Sequence, residues 1–238
     1  MTAPTWPKTR PTLSAEQISI MEDWYLTFLG DVLPGRFAFV DKFNHRYPLR
    51  SARKQARTLE IGPGNGSHLQ VENLADQQEY VAVELRESLS RQIQDAPSNV
   101  RIVVGDCEQG LDFPTATFDR VIAIHVLEHL ANLPRALAEV YRVLKPTGRF
   151  SVVIPCEGGG AYAVGRALTI RRTFQRRYGV PYTWLIRYEH INRASEVLAA
   201  LGDYFRVEHR AYFPLHVPSV HLNLVVGLTL RPLRRSGT

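Results

Sequence analysis

The sequence predicts an α/β fold built around a doubly wound parallel sheet. Three observations predict it. Short β-branched or apolar runs at 58–61, 80–83, 100–104, 120–124 and 149–154 alternate with polar and helical stretches. A glycine-rich turn, Gly62-Pro63-Gly64-Asn65-Gly66, follows the first run directly. The stretch between the last two runs carries a clear helical period. Runs of this length flanked by helices are the pattern of βαβ units whose strands are covered on both faces.

Ahead of the runs, Ser14-Ala15-Glu16-Gln17 has the form of a capping box. A helical stripe follows, Ile18, Met21, Tyr25, Phe28 and Leu29, with Gly30 in the usual place for a C-terminal glycine. Residues 31–57 have few clear periods and predict short helices leading into the core. Between the fourth and fifth runs, Leu133, Leu137, Val140, Tyr141 and Leu144 form an apolar helix face. Asn132 is placed to cap that helix, and Pro146 and Gly148 to end it. After Pro155 the alternation stops. Glu157-Gly158-Gly159-Gly160 leads into a basic stretch, a helix is predicted over 193–201, and strand-like runs follow at 205–213 and 222–230. The expected organisation is a helical lead-in or cap at 1–57 and one α/β domain at 58–238, with an inserted cap at about 156–192.

The 238 residues, 45% hydrophobic and 22% charged, suit a globular domain with a substantial core. No run reaches the ~18 uninterrupted apolar residues of a bilayer span. The proline- and lysine-bearing start lacks the apolar core of a secretory signal, so it reads as a short disordered lead-in to a cytoplasmic protein. Cys107 and Cys156 make neither a disulfide framework nor a clustered zinc site. The net charge of +6 is local, because Arg166, Arg171, Arg172, Arg176 and Arg177 supply all but one unit of it. An anionic partner could use that cluster, but a global nucleic-acid-binding character is not indicated.

Glycine permits positive φ and close backbone approach to a ligand. In a doubly wound sheet the first turn lies at the carboxyl edge of the strands, where ligands bind. A dinucleotide fingerprint places its third glycine at position 67, which here is Ser67. No Lys-Ser/Thr pair follows, so a P-loop is also excluded. Glu84 ends the second run, twenty residues past Gly64, where a carboxylate can accept both hydroxyl hydrogens of a ribose. Asp106, after the third run, could accept from an adenine amino group. The turn and the two acids together describe an adenosine site without a pyrophosphate.

These residues carry a resemblance. Leu59-Glu60-Ile61-Gly62-Pro63-Gly64-Asn65-Gly66, Val83-Glu84, Gly105-Asp106, Phe118-Asp119-Arg120-Val121-Ile122, His125-Val126-Leu127-Glu128-His129-Leu130 and Leu144-Lys145-Pro146-Thr147-Gly148-Arg149 stand in one order. In that order, residues 58–155 resemble the class I S-adenosylmethionine-dependent methyltransferases, in the type 11-like group acting on small molecules and lipids. The resemblance implies a Rossmann-like sheet of seven strands, the last antiparallel between the fifth and sixth. It implies S-adenosylmethionine as cofactor, with the turn for its methionine, Glu84 for ribose and Asp106 for adenine. Glu60, Gly62, Gly64, Gly66, Cys107 and His125 complete the expected cofactor site.

His125, Glu128 and His129 leave several readings open. They match the H-x-x-E-H pattern of inverted zinc peptidases, but no third ligand is evident. Some quinone-biosynthesis methyltransferases hold a divalent ion with similar residues at this place, although His125 replaces an acid of that pattern. Alternatively, His125 packs beside the methionine while Glu128 or His129 braces the next helix. General-base catalysis by a histidine is the remaining reading. No metal is expected, and His125, His129 and His190 are the candidate bases.

In the cap, Ala167, Ile170, Phe174 and Tyr178 fall at near-helical spacing among the five arginines. This predicts a basic amphipathic helix over 166–178, able to touch an anionic membrane or to hold an anionic acceptor. Tyr182, Trp184, Tyr188 and His190 suggest a pocket wall for an apolar or ring-shaped acceptor. The expectation is methylation, on oxygen, of a small-molecule or lipid- or sugar-linked acceptor. Two rivals remain: an RNA methyltransferase using the arginines, and a catalytically silent cofactor-binding subunit. There is no Asn/Asp-Pro-Pro-Tyr motif after the fourth run, where His125 stands, and no nucleic-acid partner is expected.

Overall fold

The computed structural model describes residues 4–28, 35 and 37–234. Its strands are β1 (Arg57–Ile61), β2 (Glu79–Glu84), β3 (Val100–Val104), β4 (Phe118–Ile124), β5 (Leu144–Pro155), β6 (Phe205–Phe213) and β7 (Val225–Pro232). They form one sheet in the order β3-β2-β1-β4-β5-β7-β6. The first five run parallel, and β7 is antiparallel to both neighbours. The fold is therefore the Rossmann-like seven-stranded sheet that the sequence motifs imply.

The helices are α1 (Ala15–Thr27), α2 (Ala38–Arg46), α3 (Glu87–Ser90), α4 (Leu133–Val143), α5 (Gly160–Leu168), α6 (Ile170–Tyr178), α7 (Thr183–Glu189) and α8 (Ala194–Gly202). Strand register sorts the core into two faces. Leu59 lies beside Val81 and Val121, and all three point to the side covered by α4 and α8. One residue on, Ala82 and Ile122 point the other way, toward α2 and the 3-10 helix Tyr47–Ser51. Helix α4 packs through Leu133, Ala136, Leu137, Val140 and Val143, the i, i+3, i+4 spacing of one helical face. A third apolar cluster joins Met21 and Trp24 of α1 to Phe174, Tyr182 and Leu185 of the cap.

Several local expectations change. The Ser14 box forms, with Ser14 Oγ accepting from Gln17 N at 3.2 Å and Gln17 Oε1 accepting from Ser14 N at 2.9 Å. The buried face of α1 is Met21 and Trp24, while Ile18 is exposed. Leu29 and Gly30 lie outside the described residues. Asn132 makes no side-chain cap; instead its backbone N–H donates to Glu108. Helix α4 ends at Val143, and Leu144 to Gly148 extend β5 through a register shift against β4. The last strand starts at Val225 rather than at 222, because the preceding loop is held by Asn223.

No regular helix follows Gly66. Residues 67–72 form turns that carry His68 and Glu72 under the sheet, where Glu72 Oε2 accepts from Arg120 Nη1 at 2.7 Å. The basic cap segment is two helices, broken at Thr169, whose backbone (φ −121°, ψ −80°) is not helical. Ala167 is exposed rather than part of a packed stripe. The start of the chain is not a disordered lead-in from residue 4 onward. Lys8 N donates to Ala131 O at 2.8 Å, and Lys8 Nζ reaches Ile191 O and Glu196.

Candidate functional site

A cavity of about 360 Å³ opens at the carboxyl ends of β1, β2 and β4. Its floor is the turn after β1, and its roof comes from α1, one face of α5, the first residue of α6, and α7. Gly62, Gly64 and Gly66 all have positive φ (66°, 58° and 81°), which L side chains rarely adopt. A Cβ on Gly62 would also stand 2.6 Å from Val126 Cγ2. Gly62, Pro63, Gly64 and Asn65 line the cavity, whereas Gly66 does not; it shapes the turn from behind, against Ile93.

Glu84 is buried on the cavity wall with both oxygens oriented. Oε2 accepts from Gly64 N at 3.0 Å and Oε1 from Arg86 N at 2.9 Å, and each oxygen keeps a second lone pair. Asp106 lines the same cavity, with Oδ1 accepting from Glu108 N at 2.8 Å. Glu60 is buried beneath the turn and accepts from the Tyr80 hydroxyl at 2.8 Å. Cys107 also borders the cavity; burial, with Asp106 and Glu108 adding to it, pushes its thiol up to about 12, so it stays protonated.

Opposite this wall, the structure brings the three candidate histidines into one cavity, each backed by a carboxylate. His125 Nδ1 lies 3.1 Å from Glu128 Oε1. Its backbone sits at φ 53°, a left-handed conformation held by the bond from His125 N to Val153 O at 2.9 Å. His129 Nδ1 lies 2.8 Å from Glu189 O and 3.3 Å from Glu189 Oε2, and Nε2 is 3.9 Å from Glu128 Oε1. His190 Nδ1 lies 3.0 Å from Glu157 Oε2. The rings of His129 and His190 meet edge to face, with centroids 5.0 Å apart.

Their environments push the imidazoles apart. Burial alone would lower His129, but its hydrogen bond to Glu189 and the charges of Glu128 and Glu189 outweigh burial and raise its affinity for a proton. Burial dominates at His190 and lowers it, despite Glu157. Burial would raise Glu189, yet its bond to His129, with the charges of His129 and Arg86, holds it down at about 2. Glu128 is buried, and its Oε2 has no hydrogen-bond partner among the described residues. Among these residues no group of three or more His, Cys, Asp or Glu is disposed to hold a metal ion. Glu128 braces His125 rather than the helix that follows.

Sequence reasoning missed part of this site. Arg10 reaches the cavity from the N-terminal strap and donates to His129 O. Tyr25 of α1 donates to Glu189 and stacks under Arg86, whose guanidinium lies 3.9 Å from the ring centroid. Of the five clustered arginines, only Arg166 lines the cavity, and it is neutralised by Glu157; from the start of α6 the lining residue is Ile170. The sequence signal for Glu189 and Glu157 was only their place beside His190 and the glycine run.

The comparisons with known proteins agree with this geometry. Residues 59–152 match the family model described as "Methyltransferase domain". The demethylmenaquinone methyltransferase of Symbiobacterium thermophilum is 32% identical over 98 residues, covering 39% of each chain. The sterol 4-C-methyltransferase strm-1 of Caenorhabditis elegans is 42% identical over 52 residues, covering 22% of this chain and 15% of that one. The chain thus spans less than half the length of either relative. Among solved structures, the PH0226 protein of Pyrococcus horikoshii superposes with a TM-score of 0.66 at 19% identity, covering 89% of this chain and 99% of that one. The N-methyltransferase NodS of Bradyrhizobium japonicum, solved with S-adenosyl-L-homocysteine, gives 0.61 at 16% identity, covering 90% and 99%. At these identities the structural likeness is one of fold. With the strand order and the glycine turn in agreement, residues 59–152 match a methyltransferase domain, set in a sheet of the class I, Rossmann-like order.

Proposed function

We propose that this chain methylates an apolar, ring-bearing small-molecule or lipid-linked acceptor at oxygen, using S-adenosylmethionine. One observation carries the reading: a single cavity has the glycine turn, Glu84 and Asp106 on one wall and three carboxylate-backed histidines under an aromatic cap on the other. The residues fit the cofactor. The backbone at Gly62 to Gly64 comes close where a side chain would intrude, and Glu84 and Asp106 keep acceptor capacity toward the cavity. Glu128 Oε2, a buried acceptor without a donor among the described residues, adds a place for a ligand N–H or O–H. The turn would hold the methionine end, Glu84 the ribose hydroxyls and Asp106 the adenine amino group.

When bound, the cofactor supplies a methyl group already activated on a sulfonium. The chain's part is to align the acceptor and exclude water. Trp24, Phe28, Tyr162, Tyr182 and Leu185 give the acceptor end an apolar, aromatic wall. The sterol and quinone methyltransferases among the relatives are named for apolar ring compounds, which supports that acceptor class. An oxygen acceptor loses a proton on methylation, and His129 is the base best set to take it. With Nδ1–H donated to Glu189, its Nε2 is left as the free acceptor on the cavity side.

Calorimetry with S-adenosylhomocysteine is the first test. Wild-type protein should bind with micromolar affinity, and Glu84→Ala with Asp106→Ala should weaken binding at least tenfold, about 1.4 kcal/mol. Unchanged affinity would remove the site assignment. Turnover of methyl-labelled cofactor against hydroxylated sterols and hydroquinones then tests the acceptor. In that assay His129→Gln should lower kcat by about 10²-fold or more while cofactor affinity stays constant.

A further inference from the structure

Helix α5 contains no buried residue. Its inner face, Tyr162, Gly165 and Arg166, lines the cavity. Its outer face is Ala163, Val164, Ala167 and Leu168, all exposed, with Val164 at 59% and Leu168 at 52%. A surface helix ordinarily turns polar residues to water; this one turns four apolar residues outward. The adjoining loop repeats the pattern. Leu215, Val217 and Leu222 are exposed, and Ala161 N donates to His221 O at 2.9 Å, which sets the loop against the start of α5. The loop's shape is fixed by buried Asn223, whose Nδ2 donates to Val217 O and Ser219 O and whose Oδ1 accepts from Leu215 N.

Charge of one sign borders these apolar residues. Between Glu157 and Glu189 there are six arginines and no acid. Arg166 and Arg177 are paired outside that stretch, with Glu157 and Asp23. Arg171, Arg172 and Arg176 are exposed and have no ion pair among the described residues, and the first two lie within four residues of Leu168. Exposed apolar side chains flanked by unpaired arginines fit a surface that is apolar below and anionic at its edge. That is the chemistry of a bilayer interface carrying anionic lipid. No helix among the described residues is long and apolar enough to cross a membrane, so the contact is peripheral.

We propose that the outer face of α5, the exposed arginines of α6 and the loop before β7 dock on an anionic membrane surface, setting the cavity roof against the bilayer. The benefit of docking rests on the lipid-linked acceptor proposed above, but the docking itself is tested without turnover. The full chain is sedimented with vesicles of phosphatidylcholine, alone or mixed with phosphatidylglycerol. Binding should require phosphatidylglycerol and weaken as salt rises. Val164→Asp with Leu168→Asp, and separately Arg171→Glu with Arg172→Glu, should each lower vesicle affinity about tenfold or more. Both pairs should leave S-adenosylhomocysteine affinity unchanged, because none of the four side chains lines the cavity. The arginine pair lies at exposed positions, so it reports even where the apolar pair disturbs the cap.

Equal binding to neutral and anionic vesicles, or no response to the arginine pair, overturns the proposal. So does a concentration-dependent dimer in analytical ultracentrifugation that Val164→Asp with Leu168→Asp abolishes, since a second copy would then be the occupant. Vesicle binding without any S-adenosylhomocysteine affinity would instead refute the methyltransferase reading and leave the docking intact.

Discussion

His129 and Glu189 are distant in the chain, yet they set the acid–base character of the site together. A base works in its unprotonated form, so methyl transfer to an oxygen acceptor should rise with pH through the pKa of His129. Burial lowers that pKa, and Glu189 and Glu128 more than restore it, so the rise lies above the ordinary imidazole range. Glu189→Gln removes the chief raising cause and should move the ascending limb to lower pH. His190→Gln should leave the limb in place, because His190 is held below the ordinary range by burial. A pH–kcat profile of the three proteins checks this, and an unmoved limb in Glu189→Gln rules His129 out as the base. That Gly62, Glu84 and Asp106 share one wall of the cavity was legible because strand ends fix their spacing: Gly62 and Asp106 follow parallel strands and Glu84 ends one. Arg10, Tyr25 and Glu189 were not, since each arrives from a separate segment whose approach depends on how the cap folds.

Among the elements, α1 and the cap illustrate the same limit. The Ser14 capping box is local chemistry, and both of its hydrogen bonds form as expected. Which face of α1 is buried depends on its partner. Trp24 meets Phe174 edge-on at 5.2 Å, and this contact, rather than the apolar stripe through Ile18, sets the helix's rotation. The single basic helix expected over 166–178 splits at Thr169 so that one half can roof the cavity while Phe174 of the other enters the cluster with Trp24, Tyr178 and Tyr182. Phe174 is fully buried there. Phe174→Ala should therefore destabilise the chain by about 3–5 kcal/mol through loss of transfer energy and an unfilled cavity. Because that cluster is separate from the two sheet cores, the loss should be concentrated in the cap. Hydrogen exchange checks it: amides of α1, α6 and α7 should lose protection while those of β1 and β4 keep it. Uniform loss would mean that the cap and sheet unfold as one unit. Glu189 belongs to this unit too. Its carboxyl is held at about 2, so it favours the folded cap above its ordinary pKa, and that contribution fades as pH falls toward about 2.

On the scale of the whole molecule, the glycine turn and the sheet are joined by a buried charge that sequence alone gave no reason to place. Arg120, in the middle of β4, reads as one residue of an apolar run, yet its side chain is fully buried. Its Nη1 donates to Glu72 Oε2 at 2.7 Å, its Nη2 to Pro48 O at 2.6 Å and its Nε to Ser51 Oγ at 2.9 Å. Glu72 in turn lies 3.3 Å from His68 Nε2, and His68 Nδ1 lies 2.9 Å from His45 O. One guanidinium thus ties β4 to the 3-10 helix before β1 and to the turns that replace a helix after Gly66. Removing one partner of such a pair leaves an uncompensated buried charge, whereas replacing both can be nearly neutral. Arg120→Met should therefore cost about 3–5 kcal/mol in urea unfolding, and Arg120→Met with Glu72→Gln distinctly less. Since Glu72 follows the glycine turn by only six residues, Arg120→Met should also weaken S-adenosylhomocysteine binding, while Phe174→Ala should affect it far less. A double variant as unstable as the single, with unchanged cofactor affinity in both, would show that Arg120 fills space in the sheet without anchoring the glycine turn.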